Sequence, residues 1–318
     1  MINEFLTTTA QTSAQPAEGG DSASLALVIC TRNNARRLPA LFDALSKLQC
    51  NRPWEFVLVD NGSTDGTRAL IESLASRVCA PLRYAYEQTP GLGNARNAGV
   101  RATSNDVRVI AFTDDDCYPR PDFLEAVERC FREDPTLAFL GGQILLHDAR
   151  DLPITIQTRR RRRRLRAGSF VRAGLIHGAN FSCRKQAVLA VGGFDPLFGH
   201  GAMFCPEDVD MQARLLAAGF HGLYDPRPVV YHAHGRRGRD DARKIHRVYD
   251  YGRGAYFMKC LGMRGMAARC LVHWAGRMLR QHPARSWREL QAGMRYRALA
   301  RSGLAQPLAT GMPEQFGS

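Results

Sequence analysis

Short, fully apolar runs alternate with amphipathic stretches through the first half of the chain. Leu25–Cys30 (LALVIC) has no polar face and predicts a strand buried on both sides. Leu38, Leu41, Phe42, Leu45 and Leu48 then recur at helical spacing. A second strand is expected over Glu55–Asp60 (EFVLVD). The run Asn61-Gly62-Ser63-Thr64-Asp65-Gly66 after it is turn chemistry, with Asp65 set to cap a helix over 66–78. Leu82–Glu87 predicts a third strand, and Gly91-Leu92-Gly93 opens the next helix. Val107–Thr113 (VRVIAFT) is a fourth strand, followed by Asp114-Asp115-Asp116 and a helix over about 121–133.

The second half is less regular. Ala138–Leu146 and Gly178–Arg184 predict strands separated by a long loop over 147–173. Glu207–Gly219 predicts a helix whose acidic first turn suits the positive end of its dipole. Val229–His232 is another apolar strand, and from about 239 to 302 the pattern is helical, with breaks near 262–265 and 283. Strands alternating with helices argue for a doubly wound, mainly parallel α/β sheet. Ligands of such sheets sit beyond the carboxyl ends of the strands, where Asp60 and Asp114–Asp116 both fall.

Composition narrows the class. The 318 residues are 45% hydrophobic and 23% charged, which is a folded core and neither a disordered chain nor a fibre. No run of about 18 apolar residues offers a bilayer-spanning helix. Residues 1–24 lack the basic patch and apolar core of a secretory signal and read as a loose tail. The nine cysteines are odd in number and include no Cys-x-x-Cys pair, against a disulfide framework or structural zinc site and for a reducing cytoplasm. The net charge of +14 is unevenly placed. Arg159–Arg164 and Arg166 supply seven positive charges, and the chain from Arg236 onward holds 17 Lys/Arg against 5 acids, so the remainder nets −5. Nucleic acid, anionic lipid and phosphorylated substrates all suit the basic segments.

The strongest chemical signal is the aspartate triplet. Three adjacent carboxylates repel one another unless a cation neutralises them, and hard oxygen ligands suit Mg²⁺ or Mn²⁺. A solvated acidic turn is the plain alternative; the position at a strand end favours a metal site.

Five motifs in order then resemble the family-2 glycosyltransferases of the GT-A fold. They are Thr31-Arg32-Asn33, Val59–Thr67 (VDNGSTDGT), Gly91–Gly99 (GLGNARNAG), the aspartate triplet, and Gly192-Gly193-Phe194-Asp195 with Glu207-Asp208-Val209-Asp210 beyond it. The likeness covers about residues 24–235. It implies a mainly parallel central sheet flanked by helices, with 25–235 as catalytic domain and 236–318 as a basic helical C-terminal extension. It also implies a nucleotide-diphosphate sugar donor, Mn²⁺ or Mg²⁺, and inversion at the anomeric carbon. By the same resemblance Thr31, Asn33, Asp60, Asn61 and Arg96 belong to donor binding, although Arg32 stands where the family often has an aromatic. Asp60 read alone is also a strand-end helix cap, and Arg96 a surface helix arginine. Asp114 and Asp116 match the outer positions of the family's Asp-x-Asp motif, Asp116 for the metal and Asp114 for ribose or metal-bound water, with Asp115 the variable middle residue.

Inversion needs one base, and Asp208 matches the second acid of the family's Glu-Asp pair, with Glu207 and Asp210 in support. Without the resemblance these acids would only stabilise a helix start, by about 0.3–1 kcal/mol. His232, and after it His234, match a histidine that often completes the metal shell; a structural histidine bonded to backbone is the alternative. Small residues at Gly178-Ala179-Asn180 would admit a sugar closely, or simply start a strand tightly.

Arg159–Arg164 falls in the expected loop, where self-repulsion keeps it extended and solvated; the sharper reading is contact with anionic lipid or a pyrophosphate-linked acceptor. Residues 255–280 mix apolar and basic positions, as an interfacial amphipathic helix does, or a helix packed on the sheet or on a second copy in a homodimer. The expected activity is metal-dependent transfer of one sugar to a glycan or lipid-linked saccharide in cell-surface polysaccharide synthesis, on or near the inner face of the plasma membrane. Transfer to polyprenyl phosphate is the near alternative. Nucleic-acid binding would explain the arginines but not the acidic strand ends.

Overall fold

The computed structural model describes residues 24–263 and 265–303. The expected tail over 1–24 lies outside the described residues apart from Ser24, as does the chain beyond Gly303. The strands are β1 (Leu25–Thr31), β2 (Trp54–Asp60), β3 (Leu82–Tyr86), β4 (Val109–Asp114), β5 (Cys117–Pro119), β6 (Leu137–Leu146), β7 (Arg163–Leu165), β8 (Phe181–Arg184) and β9 (His221–His232). The helices are α1 (Leu38–Leu45), α2 (Thr67–Leu74), α3 (Leu92–Ala102), α4 (Phe123–Glu133), α5 (Lys185–Ala190), α6 (Glu207–Ala217), α7 (Arg239–Leu261), α8 (Ala267–Met278) and α9 (Pro283–Arg301).

One sheet runs β3-β2-β1-β4-β8-β6-β9-β5, with β7 added against β9. It is parallel across β3-β2-β1-β4 and again between β6 and β9. β8 lies antiparallel between β4 and β6, and β5 and β7 run antiparallel to β9. The apolar runs explain the layering. Ala26 and Val28 of β1 face one core with Val57 and Val59, while Leu25, Leu27 and Ile29 face the other with Phe56 and Leu58. Two buried faces are why β1 and β2 read as unbroken apolar runs. α3 lies close on the first face, and Gly99 permits it: a Cβ there would meet Val28 Cγ1 at 2.4 Å.

The C-terminal helices share the first of these cores. Tyr256, Phe257, Cys260, Trp274 and Tyr296 are buried in the same cluster as Phe112, Phe181 and Phe194 of the sheet side. Their polar ties are buried too. Lys259 pairs with Asp195 at 2.7 Å and Asp210 at 2.6 Å, and Tyr296 donates to Asp195 at 3.2 Å. Glu289, fully buried on α9, accepts from Arg253 at 2.8 Å and Trp274 Nε1 at 3.0 Å. One face of α7 and α8 thus packs on the body of the protein, while Leu271, Val272 and Leu279 stay exposed.

The expected loop over 147–173 contains β7. The arginine run is in strand only at its end, Arg163 and Arg164, and alternate members find acids: Arg162 pairs with Asp225 at 2.5 Å and Arg164 with Asp134 at 3.1 Å. Leu165, directly after Arg164, turns inward and is buried. A strand edge lined with arginine also resists pairing with another chain. All nine cysteines are free thiols, and no helix among the described residues is long and apolar enough to cross a membrane.

Candidate active site

The carboxyl ends of β1, β2 and β4 lie side by side. In the ladders Thr31 stands opposite Asp60 and Cys30 opposite Asp114. Thr31 Oγ1 donates to Asp115 Oδ2 at 2.6 Å, closing the turn after β4 onto β1. Asp60 is buried; its Oδ1 accepts the Ser63 N–H at 2.9 Å and its Oδ2 the Tyr84 hydroxyl at 3.1 Å. Burial and the Asp60 charge push the Tyr84 hydroxyl up to about 12, so it stays a donor.

Asn33 and Asn61 shape these loops. Asn33 adopts φ +49°, a region asparagine tolerates, and its Oδ1 accepts the Thr64 N–H at 2.7 Å. Asn61 donates to the Glu87 and Thr89 carbonyls at 3.0 and 2.8 Å, and its Oδ1 accepts the Gly91 N–H at 2.9 Å. Its amide is engaged with backbone on both sides. The N-cap of α2 is Gly66 rather than the expected Asp65, which stands one residue earlier and accepts the Thr67 N–H at 3.0 Å.

Arg96 joins the two halves of the site. It is 1% exposed, not a surface arginine, and its guanidinium carbon lies over the T-shaped pair of Phe112 and Phe194, 5.6 Å from each ring centroid. From there it donates to Glu207 at 2.8 Å and Asp114 at 3.3 Å. The small residue at Gly178 makes room for it: a Cβ would stand 2.6 Å from Arg96 Nη2. The space expected to admit a sugar at this glycine is filled by the guanidinium.

The Gly178 N–H in turn donates to Asp208 Oδ2 at 2.7 Å, and the Val209 N–H to Asp208 Oδ1 at 2.7 Å. These two bonds fix the carboxylate at the first turn of α6. Burial pushes its neighbour Glu207 up to about 7, despite the opposing pull of Arg96. Asp210 faces the other way: it is fully buried, held low by Arg214 and Lys259 against its burial, and ties α6 to α7.

Asp116 meets His232 because β5 pairs with β9, which sets Cys117 opposite His232. His232 Nε2 lies 3.3 Å from Asp116 Oδ1, and Arg37 Nη1 lies 2.9 Å from Asp116 Oδ2. Burial works to raise Asp116, but His232 and Arg37 hold it down at about 2. Burial raises both Asp114 and Asp115, the latter to about 6, with Asp116 adding to the effect in each. The site therefore carries more negative charge than Arg37 and Arg96 neutralise.

That excess suits a divalent cation, and so does the donor set. Two cis ligands about 2.1 Å from one ion stand about 3 Å apart, close to the Asp116–His232 spacing. Asp116 and His232 fit such an ion together. Cys117 completes a cluster whose ligand atoms lie within 4.8 Å of one another, but burial drives its thiol well up, which leaves it a poor ligand for a hard ion. His234 is engaged elsewhere: Nε2 lies 3.1 Å from the Leu152 carbonyl and Nδ1 accepts the Arg236 N–H at 3.0 Å. Sequence reasoning passed over Arg37, Tyr84 and Cys117. Only Cys117 carried a signal, since it directly follows the triplet.

The family described as Glycosyl transferase family 2 matches residues 26–189, just over half of the chain. The chain belongs to glycosyl transferase family 2. The related Glycosyl transferase family group 2 matches residues 109–300, reaching into the C-terminal helices. Among curated relatives, the pre-mycofactocin glycosyltransferase of Mycobacterium tuberculosis is 29% identical over 71% of this chain and 46% of its own length. The chain thus spans about half the length of that relative. The O-antigen chain rhamnosyltransferase WbaN of Salmonella anatum is 24% identical over 72% of this chain and 71% of its own. Two solved structures share the fold. Mannosyltransferase PcManGT from Pyrobaculum calidifontis, in complex with GDP-Man and Mn²⁺, has TM-score 0.58 and 20% identity over 92% of this chain and 84% of that one. S. aureus TarS 1-349 in complex with UDP-GlcNAc has TM-score 0.59 and 15% identity over 78% and 69%.

Proposed function

We propose that this family-2 member transfers a sugar, with inversion, from a nucleoside-diphosphate sugar to a hydroxyl of a glycan or lipid-linked saccharide used in surface polysaccharide synthesis. The observation that carries the reading is the convergence of acids from β2, β4 and α6, through Thr31 and Arg96, on one rim. The relatives named for glycosyl transfer, and the solved neighbours holding GDP-Man or UDP-GlcNAc, support it.

Asp60, with its two oxygens oriented by Ser63 and Tyr84, would take the nucleoside. Thr31, Asn33 and Asn61 hold the surrounding loops, and Asp114 and Asp115 face the ribose and diphosphate. Asp116 and His232 would hold Mn²⁺ or Mg²⁺, which when bound neutralises charge on the leaving diphosphate. Arg37, now paired with Asp116, is a second cation beside that position. The acceptor oxygen attacks the anomeric carbon, the bond from that carbon to the diphosphate oxygen breaks, and its electron pair leaves with the nucleoside diphosphate. Asp208, oriented by the Gly178 and Val209 N–H groups, takes the hydroxyl proton. Glu207 positions Arg96 and, through it, Asp114.

A thermal-shift screen of UDP-, GDP- and dTDP-sugars with Mn²⁺ or Mg²⁺ tests the reading. One nucleotide series should raise the melting temperature selectively, and Asp114→Ala/Asp116→Ala should abolish sugar transfer. A folded sample indifferent to every donor, or a fully active double variant, would overturn it. Label appearing in a phosphoglycolipid formed from polyprenyl phosphate would select that acceptor instead.

A further inference from the structure

Between α7 and α9 lies an open cavity of about 300 Å³ lined by Arg243, His246, Arg247, Asp250, Arg285 and Arg288, none of them a residue of the acidic rim. Four arginines and a histidine face a single carboxylate. Asp250 is already engaged: Arg285 holds both its oxygens at 2.7–2.8 Å, and Arg253 donates to it as well. Arg288 reaches it at only 3.6 Å, and Arg288 Nε is buried without a hydrogen-bond partner. Among the described residues no acid pairs with Arg247, and Arg243 meets only the exposed Asp240. The cavity is thus a concentrated, incompletely neutralised positive site.

Its surroundings are apolar and exposed. Of the ten large hydrophobic residues exposed among the described ones, eight lie on α7–α9 or directly after α8. Val248 and Tyr249 (57% and 40% exposed) share a turn of α7 with Arg247. Trp287, Leu290 and Met294 (57%, 36% and 55%) form a stripe along α9 beside Arg285 and Arg288. Their pairing with cations is the pattern of an interfacial surface. A symmetric contact with a second copy would instead set two of these positive sites against each other.

We propose that this face docks on an anionic lipid bilayer, with a headgroup phosphate in the cavity and Trp287, Leu290 and Met294 in the interface. The docked helix also borders the reacting groups: Cys205, just before Glu207-Asp208, has its thiol 3.3 Å from the Val248 carbonyl. A membrane-held acceptor would therefore approach along α7. The proposal extends the reading of a lipid-linked acceptor but rests on other residues, so donor binding without vesicles reports on that reading alone.

Trp54 and Trp274 are buried, so Trp287 is the one exposed tryptophan of the three in the chain. Emission of the full chain, titrated with vesicles of phosphatidylcholine alone or mixed with phosphatidylglycerol, tests the proposal. A blue shift is expected only with the anionic vesicles, weakening as salt rises. Arg243→Glu/Arg247→Glu should weaken binding at least about tenfold, and Trp287→Ser should remove the shift, both with unchanged melting and donor binding. Equal binding to neutral vesicles, or no loss in the double variant, would sink it. So would inorganic pyrophosphate binding as tightly as the anionic vesicles (a soluble-anion pocket), or a shift that follows protein concentration without vesicles (self-association).

Discussion

At the scale of single residues, two carboxylates one position apart have different duties. Asp208 is held by two backbone N–H groups, while Glu207 is turned towards Arg96. Asp208→Asn keeps the shape and removes the proton acceptor. Donor affinity should stay nearly intact and turnover fall about 10²–10⁴-fold, measured by titration calorimetry and a transfer assay; weakened donor binding with normal turnover would assign Asp208 to the donor instead. Glu207 makes a prediction about pH. Its folded form ionises near 7, above the ordinary glutamate range, because burial outweighs Arg96. Below about 4.5 both folded and unfolded chains keep the proton. Between there and about 7 the unfolded chain releases it first, so stability falls as pH rises. The melting temperature of the native protein should therefore drop relative to Glu207→Gln between pH 5 and 8, without metal or donor; a constant difference would show that burial does not raise Glu207. Much of the site was readable from the sequence, since acids after an apolar strand mark the rim. The order of His232 before His234 follows from the strand end, but its cause does not, because it depends on which ring β5 brings opposite Asp116.

Among the elements, those with a clear period were legible and those without one were not. β1, β2, β4, α4 and the three C-terminal helices follow from apolar runs and helical spacing, with the expected breaks near 262–265 and 283 falling between α7, α8 and α9. β5 and β7 are three residues long, too short for any alternation to show, and β7 depends on acids distant in sequence. α6 illustrates a different limit. Its three first-turn acids look alike in sequence, yet Asp210 points into the core and carries the contact with α7. Asp210→Ala takes this partner from the half-buried Lys259 and Arg214, and removing one member of a buried ion pair costs up to about 3–5 kcal/mol, less where, as here, Lys259 keeps Asp195. Urea unfolding should show a loss of that order, whereas a change below about 0.5 kcal/mol, typical of a surface site, would place the contact outside the stabilising core.

Across the whole molecule, the boundary that composition suggests near residue 236 is a boundary of charge, not of packing. The basic extension supplies Tyr256, Phe257, Trp274 and Tyr296 to the core behind the sheet, and Lys259 to two buried aspartates. One of those, Asp195, closes the Gly-Gly-Phe-Asp motif that lies against α3: Asn97 Nδ2 donates to the Phe194 carbonyl at 2.8 Å, and the Phe194 N–H donates to Asn97 Oδ1 at 2.7 Å. The same α3 carries Arg96, so the C-terminal helices support the residue that joins Asp114 to Glu207. A chain ending at Gly235 would expose this apolar face and leave Asp195 without Lys259 and Tyr296. We predict that it does not fold to a donor-binding unit. It should bind a hydrophobic dye, lack near-ultraviolet dichroism and show no shift with any nucleotide sugar. A truncated chain that melts cooperatively and responds to the same donor as the full protein would show that residues 25–235 form an independent catalytic domain.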